Sequence, residues 1–454
     1  MKLLRLLCPP LCLLIVTLSC STDALTTAEN ETNLEQVAND NETAEDANDT
    51  SSPNILLIIA DDMGLDATPG YDVGTQKPNM PNLQSMVSNG LTFINVWTYP
   101  ICSPTRASIL TGKYGFRTNV LAVDDPLATS EVSLQSYLDQ NTVSTYGHAV
   151  IGKWHLSRNV DHPEAMAVSH FAGFFGGGVQ DYFNWSLVEN GSSSTSTDYT
   201  TTKLTDMAID WVEVQTKPWF LWLAYNAPHT PFHLPPADLH AQVGLSDNQA
   251  NIDAEPLPYY LASLEAMDAE IGRLLASLSQ EEKDNTVIIF LGDNGTPNQV
   301  AQEYPDRRVK GTLYQGGIHV PMIISGALVE RKGETEAALI GSTDLFASIA
   351  EIAGADVQEI EDSISFIGLL KDPNAMQREL VYTEVGNDSG GVHQTIRNAT
   401  HKYILFADGS ESLYDLSTDP FERNDLLHAD QLPLSSADRT KMDRLINGLA
   451  EIKQ

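Results

Sequence analysis

Cys102 is the residue whose surroundings most clearly indicate chemistry. It opens the run CSPTRASILTG at residues 102–112 and is the only cysteine beyond residue 20. A single cysteine in an exported protein has no disulfide partner, so it is either an inert core residue or a reactive group. Pro104 suits the first turn of a helix, and a helix N-terminus favours an anion. We therefore expect Cys102 near a helix N-terminus, with Arg106 one turn further to hold whatever Cys102 becomes.

Two pairs of oxygen-bearing side chains follow apolar runs of the sequence. In open α/β sheets, ligands collect at the carboxyl ends of strands, so neighbouring strands would bring both pairs together. Four oxygen donors suit Ca²⁺ or Mg²⁺ better than zinc, because neither motif contains His or Cys. Taken singly, each pair is equally typical of a helix cap or a turn. The pairs are Asp61 and Asp62 after residues 54–60, and Asp293 and Asn294 after residues 287–291.

The elements that position these residues are short apolar runs alternating with amphipathic helical patterns from residue 53 onward. The alternation predicts an α/β fold, with a large, mostly parallel or mixed sheet sandwiched by helices. The clearest helical pattern covers residues 260–278. From about residue 380, shorter runs joined by Asn, Gly and Ser predict a small antiparallel sheet and a C-terminal helix. The strands predicted for the large sheet are 54–60, 148–152, 219–224, 287–291 and 321–325.

The N-terminal residues predict export. Residues 1–20 begin with two basic residues and an apolar stretch too short and too terminal for a membrane span, which is typical of a signal peptide. Cys20 ends a loose lipobox, so we expect a lipoprotein in the periplasm or anchored to the outer membrane, with simple cleavage and secretion as the alternative. Residues 21–52 contain nine Asp or Glu and no Lys or Arg, which predicts a disordered acidic tether.

The net charge of the chain limits the kinds of molecule that it can bind. The net charge is −35, and long-range repulsion of this size disfavours nucleic acid and anionic membrane surfaces. Contact with a membrane is expected only through the N-terminal lipid, and a polyanionic substrate would need a locally basic pocket. Residues 53–380 are predicted to form the catalytic domain, and residues 381–454 a small α+β subdomain.

The run around Cys102 resembles the signature of the sulfatase family. Cys102, Pro104 and Arg106 match its Cys-x-Pro-x-Arg core, and Thr111 and Gly112 match the Thr-Gly pair five residues beyond the arginine. The resemblance implies that a maturation enzyme converts Cys102 to formylglycine, whose hydrated aldehyde is the nucleophile. It also implies an alkaline-phosphatase-like fold and hydrolysis of sulfate esters through a covalent sulfo-enzyme intermediate.

Further positions match the family in chain order, up to about residue 427. The resemblance implies proton donation to the leaving oxygen by His229 and removal of a proton from the second formylglycine hydroxyl by His155. It implies a metal site, for Ca²⁺ rather than Mg²⁺, made by Asp61, Asp62, Asp293, Asn294 and the modified Cys102. The implied catalytic and sulfate-binding residues are Cys102, Arg106, Lys153, His155, His229 and Lys310.

Two other functions are compatible with these residues. One is a phosphodiesterase or phosphonate hydrolase of the same superfamily, and the other is a lipoprotein that binds sulfated glycans without turnover. As substrate we expect a sulfated polysaccharide or its oligosaccharides, with marine algae as the source that the acidic, exported character favours. Residues 157–202 have little periodicity and predict a long irregular loop, and the aromatic residues within 161–199 could stack on sugar rings.

Overall fold

A mixed sheet forms the centre of the fold, and within the described residues it has eleven strands. The computed structural model describes residues 52–305, 307–357 and 359–454. The predicted signal peptide, Cys20 and all of the predicted tether except Ser52 lie outside the described residues. The strands of this sheet are β1 (Asn54–Ala60), β2 (Gly90–Trp97), β3 (Gly147–Lys153), β4 (His170–Phe174), β5 (Trp185–Glu189), β6 (Ser192–Ser196), β7 (Trp219–Ala224), β8 (Thr286–Gly292), β9 (His319–Gly326), β10 (Glu334–Glu336) and β11 (Ile340–Gly341).

The middle of the sheet is parallel and its flanks are partly antiparallel. The strand order is β10-β2-β9-β8-β1-β7-β3-β4-β5-β6, and β11 also pairs with β2. Strands β8, β1, β7, β3 and β4 run parallel, whereas β9, β5 and β6 pair antiparallel with their neighbours. This arrangement confirms the predicted fold class.

Strand β1 shows why the central strands read as continuous apolar runs. All seven of its residues are buried, and successive side chains point to opposite faces of the sheet. Ile55, Leu57 and Ile59 join one core, and Leu56 and Ile58 join the other. Each such side chain contributes about 1.5–3 kcal/mol when it is buried, so helices must cover both faces.

Helices α2, α4 and α11 pack on one face of the sheet, and α1, α6 and α8 on the other. The predicted helix 260–278 is α8, which begins three residues earlier because Pro258 is tolerated in a first helical turn. The helices are α1 (Pro81–Asn89), α2 (Cys102–Thr111), α3 (Gly115–Thr118), α4 (Leu134–Asn141), α5 (His162–Ala165), α6 (Thr200–Glu213), α7 (Gln249–Ala254), α8 (Leu257–Ser277), α9 (Gln280–Asp284), α10 (Gln315–Ile318), α11 (Asp344–Ile352) and α12 (Ser436–Ile452).

A small antiparallel sheet and α12 follow the large sheet, as the sequence predicted. The strands β14 to β17 pair in sequential order, and α12 packs on them through Met442, Leu445 and Leu449. Whether residues 381–454 form a separate subdomain stays a prediction. The remaining strands are β12 (Glu359–Ile360), β13 (Ser363–Ile364), β14 (Val381–Gly386), β15 (Val392–Arg397), β16 (His401–Leu405) and β17 (Glu411–Asp415).

Residues 157–202 are more regular than the sequence predicted. They contain α5, β4 and the hairpin β5-β6, which extends the large sheet at one edge. The serine and threonine side chains of β6 are mostly exposed, so this strand has no apolar alternation that a sequence pattern could detect. Among the described residues, none of the helices combines the length and the hydropathy that a membrane crossing requires.

Candidate active site

The two predicted acid pairs meet at the carboxyl ends of adjacent strands. Strands β1 and β8 are parallel neighbours, with Ala60 opposite Gly292, so the residues that follow them are adjacent. The backbone N–H of Asp62 donates to Asp293 Oδ1 at 3.0 Å, and Asn294 Nδ2 donates to Asp62 Oδ1 at 2.7 Å. Asp61, Asp62, Asp293 and Asn294 are all buried.

Cys102 is the first residue of α2, as predicted. It lies against the group formed by Asp61, Asp62, Asp293 and Asn294, which we call the acid cluster. Its Sγ is 3.5 Å from Asp61 Oδ1, and its side chain is buried. Burial, together with the charge of Asp61, raises the pKa of the Cys102 thiol well above its usual range. The thiolate is the nucleophilic form of cysteine, so an unmodified Cys102 would be a weak nucleophile here.

Three cationic side chains pair with the three carboxylates. Burial opposes ionisation of Asp61, but the nearby Lys153 holds the pKa of that carboxyl well below its usual range. Burial and the charge of Asp61 raise the pKa of Asp293 to about 7. The pairs are Lys153 Nζ to Asp61 at 2.5 Å, Lys310 Nζ to Asp62 at 2.6 Å and Arg106 Nη2 to Asp293 at 2.9 Å.

The two predicted histidines come from different loops and are held differently. His229 Nδ1 is 2.7 Å from the carbonyl oxygen of Thr230, so Nδ1 carries the hydrogen and Nε2, at 3.7 Å from Asp62 Oδ2, is left for the site. His155 follows β3 in a left-handed conformation with a φ of 55°. Its Nε2 is 3.0 Å from Asp124 Oδ1. Burial and the neighbouring Lys153 lower the pKa of His155 to about 3.

The residues present fit a divalent metal ion. One ligand atom from each of Asp61, Asp62, Cys102 and His229 lies within 4.8 Å of the others. The buried Asn294 Oδ1 has no hydrogen-bond partner among the described residues, which is costly unless something else binds it. Most of these donors are oxygens, which favours a hard cation. Both oxygens of Asp293 already accept hydrogen bonds, from the Asp62 N–H and from Arg106.

A protein-family profile matches about two thirds of this chain. The profile described as "Sulfatase" matches residues 53–355, which include Cys102, both acid pairs, both histidines and both lysines. The chain belongs to the sulfatase family. Members of this family are sulfuric ester hydrolases, and the resemblance found in the sequence is confirmed.

Several known proteins are similar to this chain. Mouse arylsulfatase J is 27% identical over 68% of this chain and 54% of its own length, so the chain spans about half the length of that relative. An ulvan-active sulfatase from Formosa agariphila is 25% identical, with 85% of this chain and 79% of that protein covered. The crystal structure of Ps i-CgsB in complex with k-i-k-neocarrahexaose has a TM-score of 0.73 at 23% identity, covering 89% of this chain and 94% of that one.

The segment after β4 brings glycines against both histidines of the site. A Cβ atom built on Gly177 would lie 3.1 Å from His155 Cε1, and one built on Gly178 would lie 2.9 Å from His229 Nδ1. Gly176 and Gly178 also line a cavity of about 430 Å³. The other lining residues are aromatic, aliphatic or neutral polar side chains, namely Phe174, Phe175, Val179, Gln180, Asn184, Trp185, Ser186, Val188 and Thr195.

Sequence reasoning missed Asp124 and Arg158. Asp124 bonds His155, and Arg158 Nη2 donates to both Asp124 oxygens at 3.0 Å. Asp124 lies in a loop with no periodic pattern and no motif, so its type and spacing carry no signal. Lys153 and Lys310 each bind a carboxylate of the acid cluster, and their role in binding sulfate stays a prediction.

Proposed function

We propose that this chain hydrolyses sulfate esters of carbohydrates and that residue 102 acts as formylglycine. The observation that carries the proposal is the position of Cys102, at the start of α2 and 3.5 Å from Asp61 Oδ1. The thiol itself is buried and protonated there, whereas hydrated formylglycine would supply one hydroxyl to attack sulfur and a second whose deprotonation expels sulfate. That second hydroxyl is what a serine would lack.

We propose that Asp61, Asp62, Asp293, Asn294 and the modified residue 102 hold Ca²⁺. The bound ion would act as a Lewis acid on the sulfate oxygen and lower the pKa of the attacking hydroxyl. We assign Ca²⁺ rather than Mg²⁺ because several protein donors converge here, and Mg²⁺ usually keeps several waters. His229 Nε2 also lies near this site, but we assign it to proton transfer rather than to the metal.

The cations of the site would bind and orient the reacting groups. Sulfate esters carry negative charge on oxygens around the sulfur, so fixed positive charges stabilise the transition state. Lys153 and Lys310 supply such charges in an otherwise acidic protein. Arg106 is fully buried between Asp293 and the carbonyl oxygen of Lys153, to which its Nη1 donates at 2.8 Å. It would thereby hold the start of α2 in position.

The two histidines would move the protons. With Nδ1 donating to Thr230, a protonated His229 presents Nε2–H to the leaving oxygen. His155 has its Nε2 bonded to Asp124, so Nδ1 is the atom that would accept the proton of the second hydroxyl. Burial keeps His155 neutral at working pH, which a proton acceptor requires.

The neutral cavity and the similar proteins together favour a glycan as substrate. Aromatic and amide side chains, such as Trp185 and Asn184, are typical of carbohydrate contacts. One relative is named an ulvan-active sulfatase, and one similar structure contains a neocarrahexaose. We therefore propose a sulfated polysaccharide or oligosaccharide, with algal material as the source. Export through residues 1–20, lipid attachment at Cys20 and modification by a formylglycine-generating enzyme complete the proposal.

Replacement of Cys102 by alanine tests the function. Turnover should fall by roughly 10³-fold or more, because the nucleophile is removed, while circular dichroism and the melting temperature change little. Ser108→Ala is the matched control, since Ser108 is buried in the same helix and bonds Ser342 Oγ at 2.7 Å, away from the acid cluster. Sulfate release from sulfated oligosaccharides is measured by ion chromatography, in parallel with phosphate diesters.

The mass of the peptide that contains residue 102 provides the second measurement. Protein expressed with a maturation enzyme should give the aldehyde form and be active, and protein expressed without it should give the thiol and be inactive. Equal sulfate release from the two preparations, or substantial activity of Cys102→Ala, would sink the proposed mechanism. Faster turnover of phosphate diesters than of sulfate esters would favour the phosphodiesterase alternative.

A further inference from the structure

The His155–Asp124 pair has an asymmetric environment. The His155 side chain is 2% exposed, and its Nε2 lies 3.0 Å from Asp124 Oδ1. Its Nδ1 is buried and has no hydrogen-bond partner among the described residues. A neutral imidazole carries one hydrogen, and a carboxylate can only accept. The pair therefore places the hydrogen on Nε2 and leaves the Nδ1 lone pair unused by the protein.

Asp124 is itself fixed with respect to the start of α2. Its backbone has a φ of 66°, in the left-handed region that is unfavourable for most residues, and its N–H donates to Ser103 Oγ at 3.2 Å. Non-glycine residues in this conformation persist only where their surroundings hold them. Ser103 is the neighbour of Cys102, so one residue links the position of the nucleophile to the orientation of His155.

Arg158 further stabilises the ionised form of Asp124, whose side chain is 46% exposed. Burial opposes ionisation of Asp124, but the hydrogen bonds from Arg158 and His155 outweigh it and lower the pKa of this carboxyl. Arg158 Nη2 lies 3.0 Å from each carboxylate oxygen. A stably ionised acceptor is what holds an imidazole in one tautomer.

We propose that Asp124 is a positioning residue that fixes the Nε2–H tautomer of His155, so that Nδ1 is the proton acceptor in the breakdown of the sulfated enzyme. This inference rests on the proposed role of His155. Asp124 should affect turnover rather than substrate affinity, because it contacts His155 and not the lysines proposed to bind sulfate.

A second His–Asp pair in the chain provides a matched control. His148 Nε2 lies 3.2 Å from Asp139 Oδ1, and the two side chains are 4% and 44% exposed, close to the values for His155 and Asp124. His148, however, lies in β3, where its Nδ1 accepts the Ser169 N–H at 3.2 Å. Its second nitrogen is therefore already used by the backbone. Loss of Asp139 should disturb an equivalent pair without affecting turnover.

The experiment compares Asp124→Ala, Asp124→Asn and Asp139→Ala in the full-length, formylglycine-containing enzyme. We expect Asp124→Ala to lower kcat about 10- to 100-fold, with KM changed less than about twofold. Asp124→Asn keeps a carbonyl acceptor and should lose less. Asp139→Ala should keep wild-type kcat. Equal kcat values for Asp124→Ala and wild type, or equal losses in Asp124→Ala and Asp139→Ala, would overturn the proposal.

Nitrogen-15 NMR of histidine-labelled protein tests the tautomer independently of activity. The His155 signal, assigned by its absence in His155→Gln, should show a protonated Nε2 in the wild type and a shift toward a mixture of tautomers in Asp124→Ala. A protonated Nδ1 in the wild type would refute the inference even if the sulfatase is active. Conversely, the expected tautomer in a protein that releases no sulfate would leave Asp124 in its positioning role and refute the proposed function instead.

Discussion

Removing Lys402 alone should destabilise the protein far more than neutralising its ion pair as a whole. Lys402 in β16 and Glu422 are 0% and 1% exposed, and Nζ lies 2.5 Å from Oε1. Lys402 also donates to the carbonyl oxygen of Leu313, and Glu422 Oε2 accepts the Gln315 N–H at 2.6 Å. Lys402→Met therefore leaves a buried carboxylate with a single donor.

The structure sets the magnitude of this effect. Burial lowers the pKa of Lys402 to about 8 although Glu422 is adjacent, so desolvation of the amine outweighs the attraction of its partner. Breaking such a pair from one side costs about 3–5 kcal/mol, whereas replacing both partners is often nearly neutral. Because total stability is typically about 5–15 kcal/mol, Lys402→Met should be severe. Lys402→Met with Glu422→Gln should stay within about 2 kcal/mol of wild type, since glutamine still accepts the Gln315 N–H.

Urea unfolding followed by tryptophan fluorescence measures both effects. The free energy of unfolding is compared for wild type, both single variants and the double variant. Lys371→Met serves as control, because Lys371 pairs with Glu330 at 3.4 Å with both side chains mostly exposed, and such pairs contribute about 0–1 kcal/mol. The reasoning fails if the double variant is as unstable as Lys402→Met. That result would mean that lost packing, and not the unpaired charge of Glu422, causes the loss of stability.

Three further predictions concern the site and the pH response. Gly178→Ala should lower kcat at least about 10-fold by displacing His229, whereas Gly176→Ala, whose Cβ would meet no other atom closer than 3.5 Å, should not; steady-state kinetics separate them. Burial and the nearby Arg397 lower the pKa of His319 to about 3, so the unfolded chain binds this proton first, near pH 6.5. The contribution of His319 to the free energy of unfolding is complete above pH 6.5 and is lost as the pH falls toward 3. Between pH 7 and 5, His319→Gln should therefore lose about 1–2 kcal/mol less stability than the wild type. Urea titrations at both pH values measure this difference, and identical losses in the two proteins would contradict it. Dialysis against a chelator should abolish sulfate release, with Ca²⁺ restoring it at lower concentration than Mg²⁺; activity unaffected by exhaustive chelation would contradict the metal assignment.

The convergence of the acid pairs was predictable because it depends on local patterns. Residues 55–60 and 287–291 are continuous apolar runs, and each is followed by oxygen-bearing side chains, so the strands and the edge at which they end follow from the residue pattern. The pattern does not predict that β1 and β8 are direct neighbours. Asn54 and Thr286 pair although they are 232 positions apart in the chain, and such pairing depends on the whole topology. The resemblance to sulfatases supplied this information indirectly.

Contacts made by loops were not predictable. The bond between His155 and Asp124 depends on left-handed backbone at both residues, and neither Asp nor His at these positions indicates such a conformation. Strand β6 was missed for a different reason. Its serines and threonines are mostly exposed and pair with β5 through the backbone, so no hydrophobic periodicity marks this strand. Long-range pairing and backbone strain are thus the parts of this fold that the residue pattern does not encode locally.

The burial of Cys102 also sets an order of events in the life of this protein. In the folded chain the residue is 3% exposed and belongs to α2, which packs on one face of the large sheet, so another enzyme has no direct access to it. A helical segment cannot extend into a foreign active site without unfolding. If residue 102 becomes formylglycine, we expect the change to occur before α2 docks or during a local unfolding that frees this helix. A variant that folds faster would then accumulate as stable but unconverted protein, so we expect the speed of folding to limit the yield of formylglycine.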